Sequence, residues 1–588
     1  MCEGVHRNFP AGFKIVNDFR KETMVMKEKW WHSLVGYQIY PKSFQDSNSD
    51  GIGDLPGIIR RLEDLEQLGI NMIWICPFYQ SPMMDHGYDI SDYTKIDPMF
   101  GTKEDLKQLI SEAKKRGITV IMDLVINHTS SLHPWFQEAL KNPEGKYGKY
   151  YIIRKGDGEI PPNNWRSLFG GSAWERIGDS DNYYLHLFTV GQPDLNWENE
   201  ELRKELYRMI NDWLELGIGG FRIDAIAHIK KDLSYRNLPP DGPDGLHAGM
   251  QWFRNVEGIE TYLRELKENT FDRYDCFTLA EVDDIPEERL NAYIGENGYY
   301  SSVFDFCHCF HSQLDGKWKG HWKEMLADIR DRVFERQKKM EGKGFFCNYQ
   351  ENHDIIRVPD RFLPKEKQNF HSLSMLPVLY FFLAGIPMIY QGQEIGMTGY
   401  PREKIGDYED LATYNNYQEY LLEGMTPEEA LDKINATSRE NARTPMQWSS
   451  EAYAGFSDVK PWFDVNPDYV TCNVEEQRRP GSLRDFFRKV TALRRDSAYE
   501  KTWIYGSFLP QEQETGQIWG FQRSYKGQEL IVLVNFTDQP VRTVQVYLIR
   551  KVLLDNYGRT EKPEQGRNTI MLRPWQALVF ESDGSDLI

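Results

Sequence analysis

Short apolar, β-branched runs recur along the chain, and most are followed by a stretch with apolar residues at helical spacing. Val35–Pro41, Asn71–Pro77, Thr119–Asn127, Gly220–Ile226, Cys276–Val282, Ser301–Cys309, Phe345–His353 and Ile386–Glu394 read as strands. Gly57–Leu68, Lys103–Arg116 and Glu200–Leu216 read as helices between them, and Thr102 with Asp105 predicts a capping box. Eight strands alternating with helices predict an α/β fold, a closed (β/α)8 TIM barrel.

Two stretches break the alternation. From His128 to about Glu198 the chain is rich in Gly, Asn, Trp and Tyr and too long for a simple loop, which predicts an inserted domain after strand three. A second insertion runs from about Gly396 to Pro480, ahead of an amphipathic helix, Leu483–Arg494. From about Trp503 the pattern changes to alternating strands such as Glu529–Asn535, a C-terminal antiparallel β-domain. The division read from these changes is an N-terminal extension over 1–29, barrel over 30–128, an inserted domain over 129–198, barrel again over 199–502 and a C-terminal β-sandwich over 503–588. Met24 and Met26 are alternative starts within the extension.

Composition narrows the function. The 588 residues exceed one ordinary domain, and 40% apolar content suits a thick core. The 13% aromatic content serves a core and sugar-stacking surfaces equally well. A formal net charge of −19 argues against nucleic acid and anionic membranes as partners. The longest apolar run, Met375 to Tyr390, is too short to span a bilayer and is broken by Pro377, Gly385 and Pro387. No leader pattern opens the chain, so a soluble, cytoplasmic, monomeric protein is expected. The seven cysteines are scattered, and the Cys307-His308-Cys309 triplet fits no zinc spacing; it reads as thiols within a strand.

In such a barrel the C-terminal strand ends share one mouth, and here those ends are densely polar. Strand three ends Asp123-Leu-Val-Ile-Asn127-His128, strand four carries Arg222 and Asp224, strand five ends on Glu281, and strand seven ends Glu351-Asn352-His353-Asp354. Arg222 and Asp224, two apart, face the same way, and a guanidinium beside a carboxylate holds it ionised for nucleophilic attack. Glu281 lies among Leu279, Ala280 and Val282, surroundings expected to raise its pKa and keep it a proton donor. Glycoside hydrolysis needs such a pair, and Asp354 supplies a third carboxylate for a cationic transition state. Singly, each group reads as structural rather than catalytic; four strand ends together read as a site.

Asp123-Leu-Val-Ile-Asn-His128, Gly220-Phe-Arg-Ile-Asp224, Glu281 and Asn352-His-Asp354 resemble, in order, the four signature motifs of the α-amylase family of glycoside hydrolases. Gln192-Pro-Asp-Leu-Asn196, Asn441-Ala-Arg-Thr-Pro-Met-Gln-Trp448 and Gly36-Tyr-Gln-Ile-Tyr-Pro41 resemble its oligo-1,6-glucosidase and α-glucosidase branch. The resemblance implies a retaining mechanism with Asp224 as nucleophile, Glu281 as acid/base and Asp354 as transition-state stabiliser. It also implies contacts to the non-reducing glucose from Asp85, Tyr88, His128, Phe188, Gln192, Arg222, His353 and Arg443. The substrate is then a short α-glucoside, with no organic cofactor.

Ala225, next to the nucleophile, is where members restricted to α-1,6 links tend to carry Val, so Ala implies α-1,4 links and sucrose, with α-1,6 links also admitted. His228, three residues on, reads equally as lining the site or facing solvent.

The stretch Asp46-Ser-Asn-Ser-Asp-Gly-Ile-Gly-Asp54 looks like the first half of an EF-hand, but Gly57 stands where the bidentate Glu belongs. In the branch this chain resembles, that loop implies one structural Ca2+ or Mg2+ on Asp46, Asn48, Asp50, the Ile52 carbonyl and Asp54. Asn127 matches a ligand of a different calcium site in true α-amylases, but the rest of that site is missing from the sequence.

Four rival activities remain: an oligo-1,6-glucosidase, a sucrose isomerase, a trehalose-6-phosphate hydrolase, and a non-catalytic scaffold of the transporter heavy-chain type. The isomerases carry an Arg-rich loop after strand seven, which Arg357-Val-Pro-Asp-Arg361 matches poorly. The scaffold reading needs a transmembrane segment that this sequence does not show.

Overall fold

Eight parallel strands close on themselves in chain order: β1 (Gly36–Ile39), β2 (Met72–Ile75), β3 (Thr119–Val125), β4 (Gly220–Asp224), β5 (Phe277–Ala280), β6 (Ser302–Phe304), β7 (Phe345–Asn348) and β8 (Ile386–Tyr390). This computed structural model describes residues 26–511, 516–544, 548–558, 565–566 and 569–582. Most of the expected N-terminal extension, with Cys2, lies outside the described residues. β1 pairs with β2 on one side and β8 on the other, Gly36 standing opposite both Met72 and Met388. A Cβ there would come within 2.6–2.8 Å of the ends of the two methionine side chains, which would have to move aside. Trp74, Ile121, Phe277, Leu279, Phe304, Ile386 and Met388 form the barrel's inner cluster.

The strands are shorter than the apolar pattern predicts. β7 stops at Asn348 rather than His353, β6 at Phe304 rather than Cys309, and β8 at Tyr390 rather than Glu394. The cause is chemical: beyond β7 and β8, His353 and Gln391 leave the ladder to bond Gln38 and Tyr40 N, and beyond β6 Asp305 turns to cap Phe306–His308. The Cys307-His308-Cys309 thiols lie past β6, where Phe306–His308 forms a 3-10 turn capped by Asp305, not in a strand. The Met375–Tyr390 run divides between helix Phe370–Phe381 and β8. Among the described residues no helix is long and apolar enough to cross a membrane.

Helix starts follow the sequence signals closely. Thr102 and Asp105 form the reciprocal capping box of helix Lys103–Lys115. Asp54 caps helix Leu55–Leu68 through Gly57 N, with Pro56 in the first turn, and Gly69 ends it at φ 89°.

After β3 the chain builds a three-stranded antiparallel sheet from Ile153–Lys155, Trp174–Arg176 and Asn182–Leu185, with a core of its own around Trp165, Trp174 and Leu187. After β8 it adds helices Leu411–Leu422 and Pro427–Thr437, and Asn415 donates to Phe169 O (2.8 Å), joining the two insertions. The C-terminal antiparallel sheet runs β9 (Ser507–Pro510), β10 (Ile518–Tyr525), β11 (Gln528–Asn535), β13 (Ala577–Ser582) and β12 (Ile549–Asp555), in that spatial order. Trp503 itself lies one element earlier, in helix Glu500–Tyr505. The domain docks on the barrel through the Trp322–Trp575 stack and through Asp538, which pairs with Lys323 and Lys367.

Candidate active site

Strand alternation turns Asp123 of β3 and Arg222 and Asp224 of β4 into the barrel. The Arg222 side chain is 1% exposed. Its Nη1 donates to Asp123 Oδ1 (2.8 Å) and Asp224 Oδ1 (2.7 Å), and its Nη2 meets Glu281 Oε1 (2.9 Å). Glu281, the residue after β5, also accepts a hydrogen bond at Oε2 from Ala225 N (3.0 Å). That amide can point there because Ala225 sits in the left-handed region at φ 44°.

Three carboxyls thus share one guanidinium. Burial is the main cause that pushes Asp123 up to about 6, against the pull of Arg222. Burial also raises Asp224, with Glu281 and Asp123 adding to it and Arg222 opposing. Asp123 and Asp224 repel across the shared guanidinium, so the two lose their protons as a linked pair. Arg222 draws Asp224 toward its ionised form, and Asp123 and Glu281 share the same guanidinium. One sequence expectation changes here. Glu281 does not face an apolar wall: Leu279 and Ala280 are buried, while its side chain is 27% exposed and faces Arg222.

His353 and Asp354, beyond β7, complete the floor. The Gln38 amide donates to His353 Nδ1 (2.8 Å), so the neutral ring carries its proton on Nε2, 3.0 Å from Asp354 Oδ2 and 2.7 Å from the Tyr88 hydroxyl. Burial keeps His353 neutral, well below its ordinary range. Tyr88 stacks on the His353 ring and donates to Asp123 Oδ2 (3.0 Å). Burial pushes Asp354 upward, but His353, Arg439 and Arg443 outweigh it and hold the carboxyl far below its usual value. Arg443 Nη2 lies 3.0 Å from Asp354 Oδ1, and its Nε donates to His353 O.

The third wall comes from the hairpin after β2 and from the first insertion. Gln192 Nε2 donates to Asp85 Oδ2 (2.9 Å) and lies 3.1 Å from His128 Nε2, which also faces Tyr88 O. Phe188 packs on His128 with ring centres 5.0 Å apart. Burial raises Asp85 to about 6. All twelve residues expected at the site come together. His228 is buried rather than facing solvent, edge-on to Phe188 and 2.8 Å from Phe253 O.

Arg439 belongs to this constellation and escaped sequence reasoning. Its guanidinium bridges Asp85 (2.9 Å) and Asp354 (2.9 Å), pairs with Asp410 and lies over Phe169. The signal available was an arginine one helical turn before Arg443, just outside the quoted motif. Asp123 was visible at its strand end, but its role became clear only through Arg222.

The metal-loop residues lie apart from these groups. Asp46 accepts from Asn48 N, Ser49 N, Gly51 N and Ser457 Oγ, while Asp54 accepts from Gly57 N and Ser47. Asn48 and Asp50 bond each other. Among the described residues no three His, Cys, Asp or Glu gather as a metal cluster. The donors a hard cation could use here are mixed, carboxylate, amide and carbonyl oxygens, and both Asp46 oxygens already accept two hydrogen bonds each. At Asn127 the situation differs. The buried Lys231 ammonium sits 2.9 Å from Asn127 Oδ1 and 2.8 Å from Asp194 Oδ2, so that pair already holds a cation.

A guanidinium shared by carboxyls from adjacent strands, with a His–Asp–Arg floor at the barrel mouth, defines a glycoside hydrolase site. The chain belongs to the α-amylase family, whose description (Alpha amylase, catalytic domain) matches residues 38–502. It is 40% identical to an oligo-1,6-glucosidase of Parageobacillus thermoglucosidasius over 95% of this chain and 99% of the relative. Among solved structures it resembles trehalose-6-phosphate hydrolase of Bacillus licheniformis, with a TM-score of 0.85 and 35% identity over 94% of this chain and 100% of the other. It also resembles the isomaltulose synthase PalI from Klebsiella sp. LX3, with a TM-score of 0.86 and 34% identity over 94% and 100% of the two chains.

Proposed function

We propose that the protein is an exo-acting, retaining α-glucosidase. It releases α-glucose from the non-reducing end of short α-glucosides, cleaving α-1,4 links and sucrose, with α-1,6 links also within reach. The observation that carries this reading is the placement of Asp224 and Glu281 on one guanidinium, beside a pocket wall in which Arg439 ties Asp85 to Asp354. Such a tie would block one side of the site, which suits one terminal glucose.

Asp224 attacks the anomeric carbon while Glu281 gives its proton to the departing glycosidic oxygen. A glucosyl ester forms on Asp224. Glu281, now ionised, takes a proton from water as that water displaces Asp224, so two inversions return the α-anomer. Arg222 stabilises Asp224 as leaving group, and Asp354, held by Arg443 and Arg439, faces the cationic ring.

Two features weigh against the rival activities. Arg357 and Arg361 are buried and bound to Glu351 and to the Gln350 carbonyl, so neither is offered to a sugar as an isomerase loop would require. Asp283 and Asp284 follow Glu281 closely and already engage Arg254, an environment hostile to a phosphorylated leaving group.

We further propose that Asp46, Asn48, Asp50, the Ile52 carbonyl and Asp54 hold one Ca2+ or Mg2+, which supplies stability to the loop after β1. The test of the activity is product analysis on maltose, sucrose and isomaltose by NMR. α-Glucose should appear first, and Asp224→Asn and Glu281→Gln should each remove nearly all turnover. β-Glucose as first product would overturn the double displacement.

A further inference from the structure

Immediately beyond the reacting carboxylates, the loops after β4 and β5 are fastened together. Arg254 Nη1 meets Asp283 Oδ2 (2.6 Å) and Nη2 meets Asp284 Oδ2 (3.0 Å). The next residue, Asn255, donates from its side chain to Asp283 O (2.8 Å) and from its backbone to Ala227 O (2.8 Å). One dipeptide thus holds the chain two residues past Glu281 and two past Ala225. Asn255 and Asp284 both lie in the left-handed region, at φ 49° and 52°. Asn and Asp tolerate that conformation best among residues with a Cβ, and it persists only where surroundings enforce it. Arg254 is 22% exposed and Asp284 75%, so the ion pairs add little to stability. Their effect is geometric.

We infer that Arg254 is a positioning residue for Glu281: by gripping Asp283 and Asp284 it fixes the loop that presents the proton donor to the leaving group. The inference rests on Glu281 acting as that donor. Glu281 reaches Arg222 and Ala225 N from a backbone that leaves the ladder at Ala280, and Arg254 is the side chain that anchors the next turn.

Leaving-group dependence tests it. A sugar alkoxide departs only with a proton, whereas fluoride departs without one, so a misplaced acid slows disaccharides and spares α-glucosyl fluoride. Arg254→Ala should lower kcat about 10-fold or more on the disaccharide the wild type cleaves, maltose or isomaltose, because general acid catalysis contributes about 10²–10⁴-fold. The kcat/KM for α-glucosyl fluoride and the Tm should stay near wild type. Arg254→Lys should restore most of the loss, and Asp283→Asn with Asp284→Asn should reproduce it from the other side. Equal losses on both substrates, or no loss on either, would overturn the inference. Glu281→Gln, run alongside, separates the two readings: if it shows no preference for fluoride, the donor assignment fails rather than the clamp.

Discussion

Ala225 concentrates two constraints in one side chain. It follows Asp224 at the leaving-group side, and its left-handed backbone aims its N–H at Glu281. A Val there brings two γ-methyls against an α-1,4-linked leaving sugar, while an α-1,6-linked one can swing away on its extra carbon. Ala225→Val should therefore lower kcat/KM for maltose more than for isomaltose, by roughly 1–3 kcal/mol of discrimination. It should also lower Tm, since a β-branched residue is strained at positive φ. Ala225→Gly should relieve the strain and keep both substrates. Equal scaling of the two rates by Val would place specificity elsewhere. The identity of Ala225 was legible in the sequence, but its backbone conformation was not, because nothing local to an alanine predicts φ 44°. Glu281 was misread for a related reason. Its sequence neighbours are apolar, but its spatial partner, Arg222, comes from the next strand.

Among the elements, the loop after β1 couples a cation-binding pattern to a helix start. Asp54 caps helix Leu55–Leu68, so Asp54→Ala removes a cap worth about 1 kcal/mol whether or not a metal binds. Asp50 caps no helix, and its carboxylate accepts from Asn48 Nδ2 and Ile52 N. Chelation should lower the wild-type Tm with kcat unchanged, through loss of a ligand that binds only the folded state. Asp50→Ala should abolish that chelator response while Asp54 still caps. A chelator-insensitive wild type, or a loss of kcat without a change in Tm, would refute the proposal. At this scale the strands were readable by composition, since each of the eight runs read as a strand lies on a real one. Their ends were not, because a polar residue in the ladder and one bonded across the mouth look alike in one dimension.

Across the whole molecule, buried histidines weaken the fold in acid. Burial lowers His32, His133, His186 and His228 to about 4 and His128 to about 3. Below about pH 6.5 the unfolded chain takes up protons at these positions and the folded one does not, so stability falls as pH falls toward 4. Asp85 and Asp123, raised to about 6, and Asp224, Glu351 and Glu394, also raised by burial, act with the opposite sign, since the folded state there binds the extra proton. The histidine share is therefore read by difference: His32→Gln with His133→Gln should make acid between pH 7 and 5 less destabilising than it is to the wild type. A double variant whose denaturant midpoint changes with pH just as the wild type's does would contradict this. The global architecture was the most legible level, since eight strand–helix alternations leave few ways to close a sheet. The meeting of the two insertions at Asn415 and Phe169 was invisible, because it joins residues far apart that carry no mutual pattern.

The pairing of Gly36 with Met388 has a consequence for how the protein is made. β1 is among the first strands to leave the ribosome, yet its second neighbour, β8, emerges only after nearly all of the catalytic chain. At about 5–20 residues per second the unpaired edge waits some tens of seconds, a window in which it is open to other chains. The nascent barrel thus keeps one strand edge open until its last strand arrives, and the yield of active protein should depend on translation speed between β1 and β8.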